Sequence, residues 1–269
     1  MRALYLIMWI SVSLGLSGCL TLEQGVRYLD TSLNGDVQGT QLADALYQKG
    51  DFQTASRLYR RLIEKSPQDS HLWLRYSNIL YELRIYPEAL QSYEALISLT
   101  PESCDGYVGA GRSSLKLSRP TRAGEYFRQC YRLNKKHGQA LIGLAISEDL
   151  AGNSDEAVKF YKDAINLSPY DLDLKNNLAL SLMLKGKFDE AIEMLSHVAF
   201  GPNASPQVRQ NLALAYGLNG DEMAAAQVAA LDLPPRTVQN NLKYYAFIRH
   251  MPDKEALRSL LLPHIGYQQ

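Results

Sequence analysis

Small and apolar residues fall along this chain in one register. Alanine stands at positions 55, 89, 123, 157, 191 and 225, six times at a spacing of 34 residues, and an aromatic follows four residues later at Tyr59, Tyr93, Phe127 and Tyr161. Twelve residues before each alanine lies another small residue, at Ala43, Ser77, Gly111, Ala145, Ala179 and Ala213. A fixed period between about 20 and 50 residues marks a repeat array. The break signals keep the same phase. Gly50, Gly152, Gly186 and Gly220 precede the alanine by five residues, with Arg84 and Ser118 in the other two blocks, and Pro67, Pro101 and Pro169 follow it by twelve. Glycine can adopt the left-handed conformation that satisfies the last carbonyls of a helix, and proline cannot continue the hydrogen-bond ladder. Each block therefore predicts two helices joined by a turn, with the alanine positions letting the pair approach closely.

The pattern resembles the tetratricopeptide repeat, whose period is 34. With each block counted from its first residue, Trp73 holds the fourth place, where that family often has tryptophan. The resemblance covers residues 36–230 as six blocks. The third departs from it, with Ser118, Cys130 and Lys135 where glycine, alanine and proline are usual. Pro120 is expected to open the second helix there, where its missing N–H costs nothing. The implied fold is all-α, a right-handed α-solenoid of helix-turn-helix repeats forming one elongated domain in which each repeat touches only its neighbours.

The first residues read differently. Met1 to Leu16 carries one basic residue, Arg2, then an apolar run broken by Ser11, Ser13 and Gly15, and Leu16-Ser17-Gly18-Cys19 follows. That run is shorter than the roughly 20 apolar residues of a spanning helix. Residues 1–18 are expected to be a secretory signal peptide. Leu-Ser-Gly-Cys is similar to the bacterial lipobox, which implies cleavage before Cys19 and acylation of its thiol and new amine. The competing reading is an ordinary buried cysteine in an N-terminal helix. Several acyl chains, at about 0.8 kcal/mol per methylene, anchor a protein far more firmly than one. Leu20 stands where an aspartate would resemble the inner-membrane retention signal, so the expected address is the outer membrane of a Gram-negative bacterium, facing the periplasm. Residues 19–35 form the lipidated tether, at most roughly 50 Å long when extended and about 20 Å as a flexible coil.

Charge narrows the functions. Lysine plus arginine equals aspartate plus glutamate at 28 each, and removal of residues 1–18 takes away only Arg2. No basic stripe is available to neutralise phosphates, so nucleic acid is not the expected partner. The histidines at 71, 137, 197, 250 and 264 are scattered, without His-Glu-x-x-His or Cys-x-x-Cys spacing, so neither a metal site nor a cofactor is expected. Gly106, Gly109 and Gly111 fall inside a predicted helix, where packing explains them better than a phosphate loop. Gly186-Lys187-Phe188 lacks the remaining residues of a nucleotide loop and reads as an inter-helix turn. No catalytic constellation and no small-molecule substrate site emerge.

Cys104 and Cys130 both lie in the third block. In a periplasmic protein a pair invites the disulfide reading, and antiparallel helices would bring the start of the first and the late part of the second to the same side. The alternative is that Cys130 replaces the packing alanine and Cys104 is a small helix-start residue. A bond requires Cα atoms within about 7 Å.

Binding is expected on a surface. In the repeat family the first helices line a concave groove with the second, fifth, ninth and twelfth places of each block, one helical stripe. Here the fifth, ninth and twelfth places include Tyr47, Leu74, Tyr81, Val108, Leu115, Ile142, Ile146, Leu180, Met183 and Leu214. Such an apolar face suits an amphipathic helix or extended segment of a protein partner. The alternative is that the twelfth-place residues are half covered by neighbouring helices. Asn78 and Arg112 could orient a ligand. The basic-plus-asparagine clamp that some members use for C-terminal carboxylates is absent, because Leu74 precedes Asn78 in the stripe. Asn177 and Asn211, one period apart, match a common sixth-place asparagine and read as structural.

After Ala230 the register breaks. Leu231-Asp232-Leu233-Pro234-Pro235 intervenes, and Asn241-Leu242 comes 30 residues after Asn211-Leu212 instead of 34. Residues 231–269 are expected to form a C-terminal helical cap in which Leu242, Tyr245, Phe247 and Ile248 shield the last repeat. The lipobox, the six repeats, the run Gln210-Asn211-Leu212-Ala213-Leu214-Ala215-Tyr216-Gly217, and the Asp-Leu-Pro-Pro break followed by Asn-Asn-Leu-x-Tyr-Tyr together resemble the lipoproteins of Flp pilus (tight adherence) assembly. That resemblance implies a pilotin-like or scaffolding role, with the pilus secretin or another Flp/Tad component as partner and the membrane reached through the N-terminal lipid. A type IVa pilus pilotin, also a lipoprotein of six such repeats, is an alternative. A periplasmic adaptor docking cell-wall hydrolases is another.

Overall fold

A computed structural model describes residues 36–202 and 204–250, together with Arg258 and Leu261. Cys19 and the expected signal and tether lie outside the described residues. Thirteen helices and no strand occur among the described residues. Twelve form six hairpins: α1 (Asp36–Gln48) with α2 (Phe52–Lys65), α3 (Ser70–Glu82) with α4 (Tyr86–Leu99), α5 (Cys104–Lys116) with α6 (Pro120–Leu133), α7 (Gly138–Ala151) with α8 (Ser154–Leu167), α9 (Leu172–Leu184) with α10 (Phe188–Ala199), and α11 (Pro206–Asn219) with α12 (Glu222–Ala229). Each helix packs against the next, which makes the α-solenoid.

Short-range chemistry sets the boundaries. Side chains of Asp69, Ser103, His137, Asp171 and Ser205 accept backbone N–H bonds at the starts of α3, α5, α7, α9 and α11, satisfying donors that have no partner inside the helix. Pro87 and Pro120 stand in the first turn of α4 and α6, where their missing N–H is harmless. Every hairpin turn has a residue at positive φ. Four are glycines, and the blocks without glycine use Arg84 at φ 61° and Ser118 at φ 56°. The turn geometry is thus held by the tertiary packing even where the sequence does not ease it.

The periodic residues meet at the helix-helix seams. Ala55, Ala89, Ala123, Ala157, Ala191 and Ala225 are all fully buried, as are Ala43, Ala145, Ala179 and Ala213. Tyr59, Tyr93, Phe127 and Tyr161 are the largest fully buried or nearly fully buried side chains, each removing enough apolar surface for roughly 2 to 3 kcal/mol. Phe127 lies against both Gly111 and Gly143, and an added Cβ there would come within 2.7 and 2.4 Å of its ring.

α13 (Pro235–Arg249) covers the end of the array. Val238, Tyr245 and Ile248 are buried, and Tyr245 sits on Gly217, where a Cβ would meet its ring at 2.3 Å. Phe247 departs from the expectation. It is 59% exposed, because the stripe running through Val238, Tyr245 and Ile248 leaves position 247 on the opposite side of the helix. The break itself is pinned. Arg209 grips Asp232 through Nε at 2.9 Å and Nη2 at 2.6 Å, Gln210 Nε2 donates to the same carboxylate at 3.2 Å, and Arg249 Nη1 donates to the Gly217 carbonyl at 3.0 Å.

Candidate functional site

The first helices of the hairpins carry the fifth, ninth and twelfth places along one face of the solenoid. In the first three repeats the ninth-place residues Asp44, Asn78 and Arg112 are polar, and each is fixed by an aromatic. The Tyr59 hydroxyl donates to Asp44 at 2.5 Å, the Tyr93 hydroxyl donates to Asn78 Oδ1 at 2.6 Å, and the Arg112 guanidinium lies 4.3 Å from the centre of the Tyr81 ring. Arg75 links the first two repeats, with Nε 3.6 Å from Asp44 and its guanidinium 5.6 Å from the Tyr47 ring. Tyr86 packs edge-on to Tyr81 at 5.4 Å. Tyr47, Leu74, Asn78 and Arg112 remain half-buried, so their accessible edges form a basic and aromatic surface. Burial lowers the Lys116 ammonium pKa, and the neighbouring charges of Arg112 and Arg84 lower it further.

The other half differs. The ninth-place residues of the last three repeats are Ile146, Leu180 and Leu214, all buried. Tyr161 therefore has no ninth-place polar group, and its hydroxyl is buried without a hydrogen-bond partner. Leu180 and Met183 are fully buried, and Tyr81, Val108 and Leu115 are also enclosed. The expected apolar groove lining is corrected accordingly. Tyr81, Val108, Leu115, Ile146, Leu180, Met183 and Leu214 belong to the chain's own core, packed into its apolar clusters, whereas Tyr47, Leu74 and half-buried Ile142 retain some exposure.

Sequence reasoning singled out neither Asp149 nor Arg258. Asp149, at the twelfth place of the fourth repeat, is fully buried, and its Oδ1 accepts from Ser181 at 2.9 Å. Burial pushes its carboxyl up to about 7, against the opposing influence of hydrogen bonds from Ser154 and Ser181 and the charge of Arg258. The readable signal was the change at the ninth place from polar to apolar half-way along the array.

Cys104 and Cys130 are joined by a disulfide with Cα atoms 4.8 Å apart. His137 is the third member of the group, with ligand atoms all within 4.8 Å. Its Nδ1 accepts from the Ala140 amide at 3.3 Å and caps α7, while the disulfide staples the start of α5 to the last turn of α6. The bridge closes a sequence separation of 26, which corresponds to about 3.5 kcal/mol of restricted unfolded-chain freedom. Titration of denatured, unreduced protein should find no thiol at 104 or 130, and reduction should expose both and lower the melting temperature. Two reactive thiols before reduction would overturn the pairing.

The sequence profile of the tetratricopeptide repeat matches residues 40–103 and 108–172, and a second profile of the same repeat matches 150–214. The chain belongs to the tetratricopeptide-repeat family. Proteins of this family are generally non-catalytic scaffolds for protein interaction. The type IV pilus assembly protein PilF of Pseudomonas aeruginosa is 28% identical over 96 residues, 34% of this chain and 37% of PilF. The match thus spans little more than a third of that relative's length. Among solved structures, PilW, a type IV pilus biogenesis factor, superposes with a TM-score of 0.65 at 19% identity over 78% of this chain and 94% of its own. YrrB, a repeat protein with an unusual peptide-binding site, gives 0.59 at 18% over 69% and 97%. At these identities the two structures speak to the fold.

Proposed function

We propose that this chain is a TadD-like lipoprotein of Flp/Tad (type IVb) pilus assembly, anchored through Cys19 to the outer membrane and facing the periplasm. It binds a segment of the pilus secretin, or of a neighbouring assembly component, in the concave groove. The observation that carries the binding role is the accessible surface of Tyr47, Leu74, Asn78 and Arg112, in which Arg75 lies on Tyr47, Tyr93 holds Asn78 and Tyr81 holds Arg112. These contacts fix the side chains before a partner arrives, which reduces the ordering cost of binding. The similarity to PilF supports the pilus setting, the lipobox at Cys19 supports the lipid anchor, and the Asp232-Leu233-Pro234-Pro235 break with the Asn-Asn-Leu-x-Tyr-Tyr run after it supports the tight-adherence branch.

Cys19→Ser should leave the repeats folded and abolish delivery to the outer membrane, with a fall in secretin multimers read on semi-denaturing gels. Normal multimers in that variant would overturn the pilotin-like role. Photoreactive groups at Tyr47 and Leu74 should capture the secretin or another assembly component in the native envelope. A type IVa pilotin is the second reading, favoured by the similarity to PilF. Neighbouring genes separate the two: a Flp prepilin with its dedicated ATPase, or the type IVa set.

A further inference from the structure

Two residues from beyond the capping helix return to the middle of the array. Arg258 Nη2 donates to the carbonyls of Leu150 at 2.7 Å and Asp149 at 3.3 Å, 108 and 109 residues earlier in the chain. These are among the last carbonyls of α7, where the helix dipole favours a cation; that of Asp149 also accepts from the Gly152 amide at 3.0 Å. The approach is close. A Cβ on Gly152 would lie 2.4 Å from Arg258 Nη1. Leu261, three residues on and also helical, is fully buried in the apolar cluster that contains Ile146, Leu180 and Met183. Positions three apart share a helix face, so one guanidinium and one leucine are presented together, the first to the end of α7 in the fourth repeat and the second to the apolar cluster that includes the ninth-place residues Ile146, Leu180 and Leu214.

We propose that the segment carrying Arg258 and Leu261 is an intramolecular ligand of this half of the groove, and that a partner segment reaching it must displace that ligand. The contacts are those of a bound peptide rather than of a further repeat: a cation on helix-end carbonyls and a fully buried apolar anchor three residues on. They also state what a competitor must offer, a basic residue followed three or four positions later by a large aliphatic one on the same helical face. The open half, built on Asn78 and Arg112, is left free for the first encounter. The displacement rests on the concave face being the partner surface, whereas the occupancy of the seat can be measured with no pilus component present.

Two measurements test it. Trypsin cleavage after Arg258, followed by mass spectrometry, should be at least 30-fold slower in the native full-length chain than in a free synthetic peptide of residues 251–269; equal rates would overturn the proposal without recourse to any variant. The full-length chain carrying Arg258→Glu and Leu261→Asp, its helicity checked by circular dichroism, should bind that peptide, fluorescently labelled, at least tenfold more tightly than the native chain does. A peptide carrying the same two substitutions should not bind. Equal binding by both chains, or binding of the doubly substituted peptide as well as the native one, would also sink it. Failure here leaves crosslinking from Tyr47 and Leu74 unaffected, and failure of that crosslinking leaves the occupied seat standing.

Discussion

Gly109→Ala should destabilise the protein by roughly 2 kcal/mol, despite replacing a helix-interior glycine with the best helix former. A Cβ at position 109 would lie 2.1 to 2.4 Å from three atoms of the Tyr93 ring, which is almost fully buried and cannot swing into solvent. The gain in helix propensity is about 1 kcal/mol, and overpacking a rigid core costs about 1 to 3 kcal/mol or more. The aromatic has little room to yield, so the steric cost wins. At about 2 to 4 °C per kcal/mol for a chain of this size, the melting temperature should fall by roughly 4 to 8 °C. Gly138→Ala is the control of opposite sign, because nothing lies within 4 Å of its added Cβ. The same change reaches the groove. Tyr93 holds Asn78 through its hydroxyl, so a displaced ring should also weaken capture of a partner by the open half. Unchanged stability in Gly109→Ala would mean that the ring-on-backbone contact does not constrain the seam.

Much of the architecture was legible because it repeats. A 34-residue period puts the same residue type in the same environment six times, and the buried alanines and aromatics are its direct expression. Even the exceptions are informative. Arg84 and Ser118 adopt the left-handed turn that glycine would ease, so neighbouring repeats dictate the turn once the period is set. The groove was less legible. The stripe of places gave its position, but accessibility depends on what lies opposite, and no periodic signal marks a residue that returns from more than 100 positions away. Arg258 and Leu261 are of this kind. Phe247 shows the same weakness on a smaller scale, since an apolar residue in a capping helix can fall on either side of the buried stripe.

The two halves of the groove consequently carry different physics. Asp44, Asn78 and Arg112 are satisfied by aromatics of their own repeats or by an adjacent one, so the first half presents fixed polar groups at a surface. Ile146, Leu180 and Leu214 place apolar surface where water would otherwise stand, and burial of that surface stabilises whatever covers it. Fixed polar groups supply orientation and specificity, while the apolar half supplies adhesion that the chain satisfies internally.

Asp149 lies at the junction of those halves and should make stability depend on pH. Its carboxyl is raised from 3.8 to about 7, chiefly by burial. Below about pH 4 the group is protonated in both folded and unfolded chains. Between about 4 and 7 the folded chain binds the proton more tightly, so stability falls as pH rises through this window and levels off above it. At about 1.4 kcal/mol per pH unit, the loss is on the order of 4 kcal/mol by pH 8. Asparagine keeps an oxygen to accept from Ser181 and cannot ionise. Asp149→Asn should therefore be close to neutral near pH 4 and stabilising by up to that amount near pH 8, read as a rise in the urea midpoint at fixed slope. Ionised Asp149 is also the form that attracts Arg258, so the substitution should loosen the Arg258 contact at pH 8 while it stabilises the repeats. A stability difference between Asp149→Asn and the native chain that is the same at pH 4 and pH 8 would show that the buried carboxyl is not the titrating group.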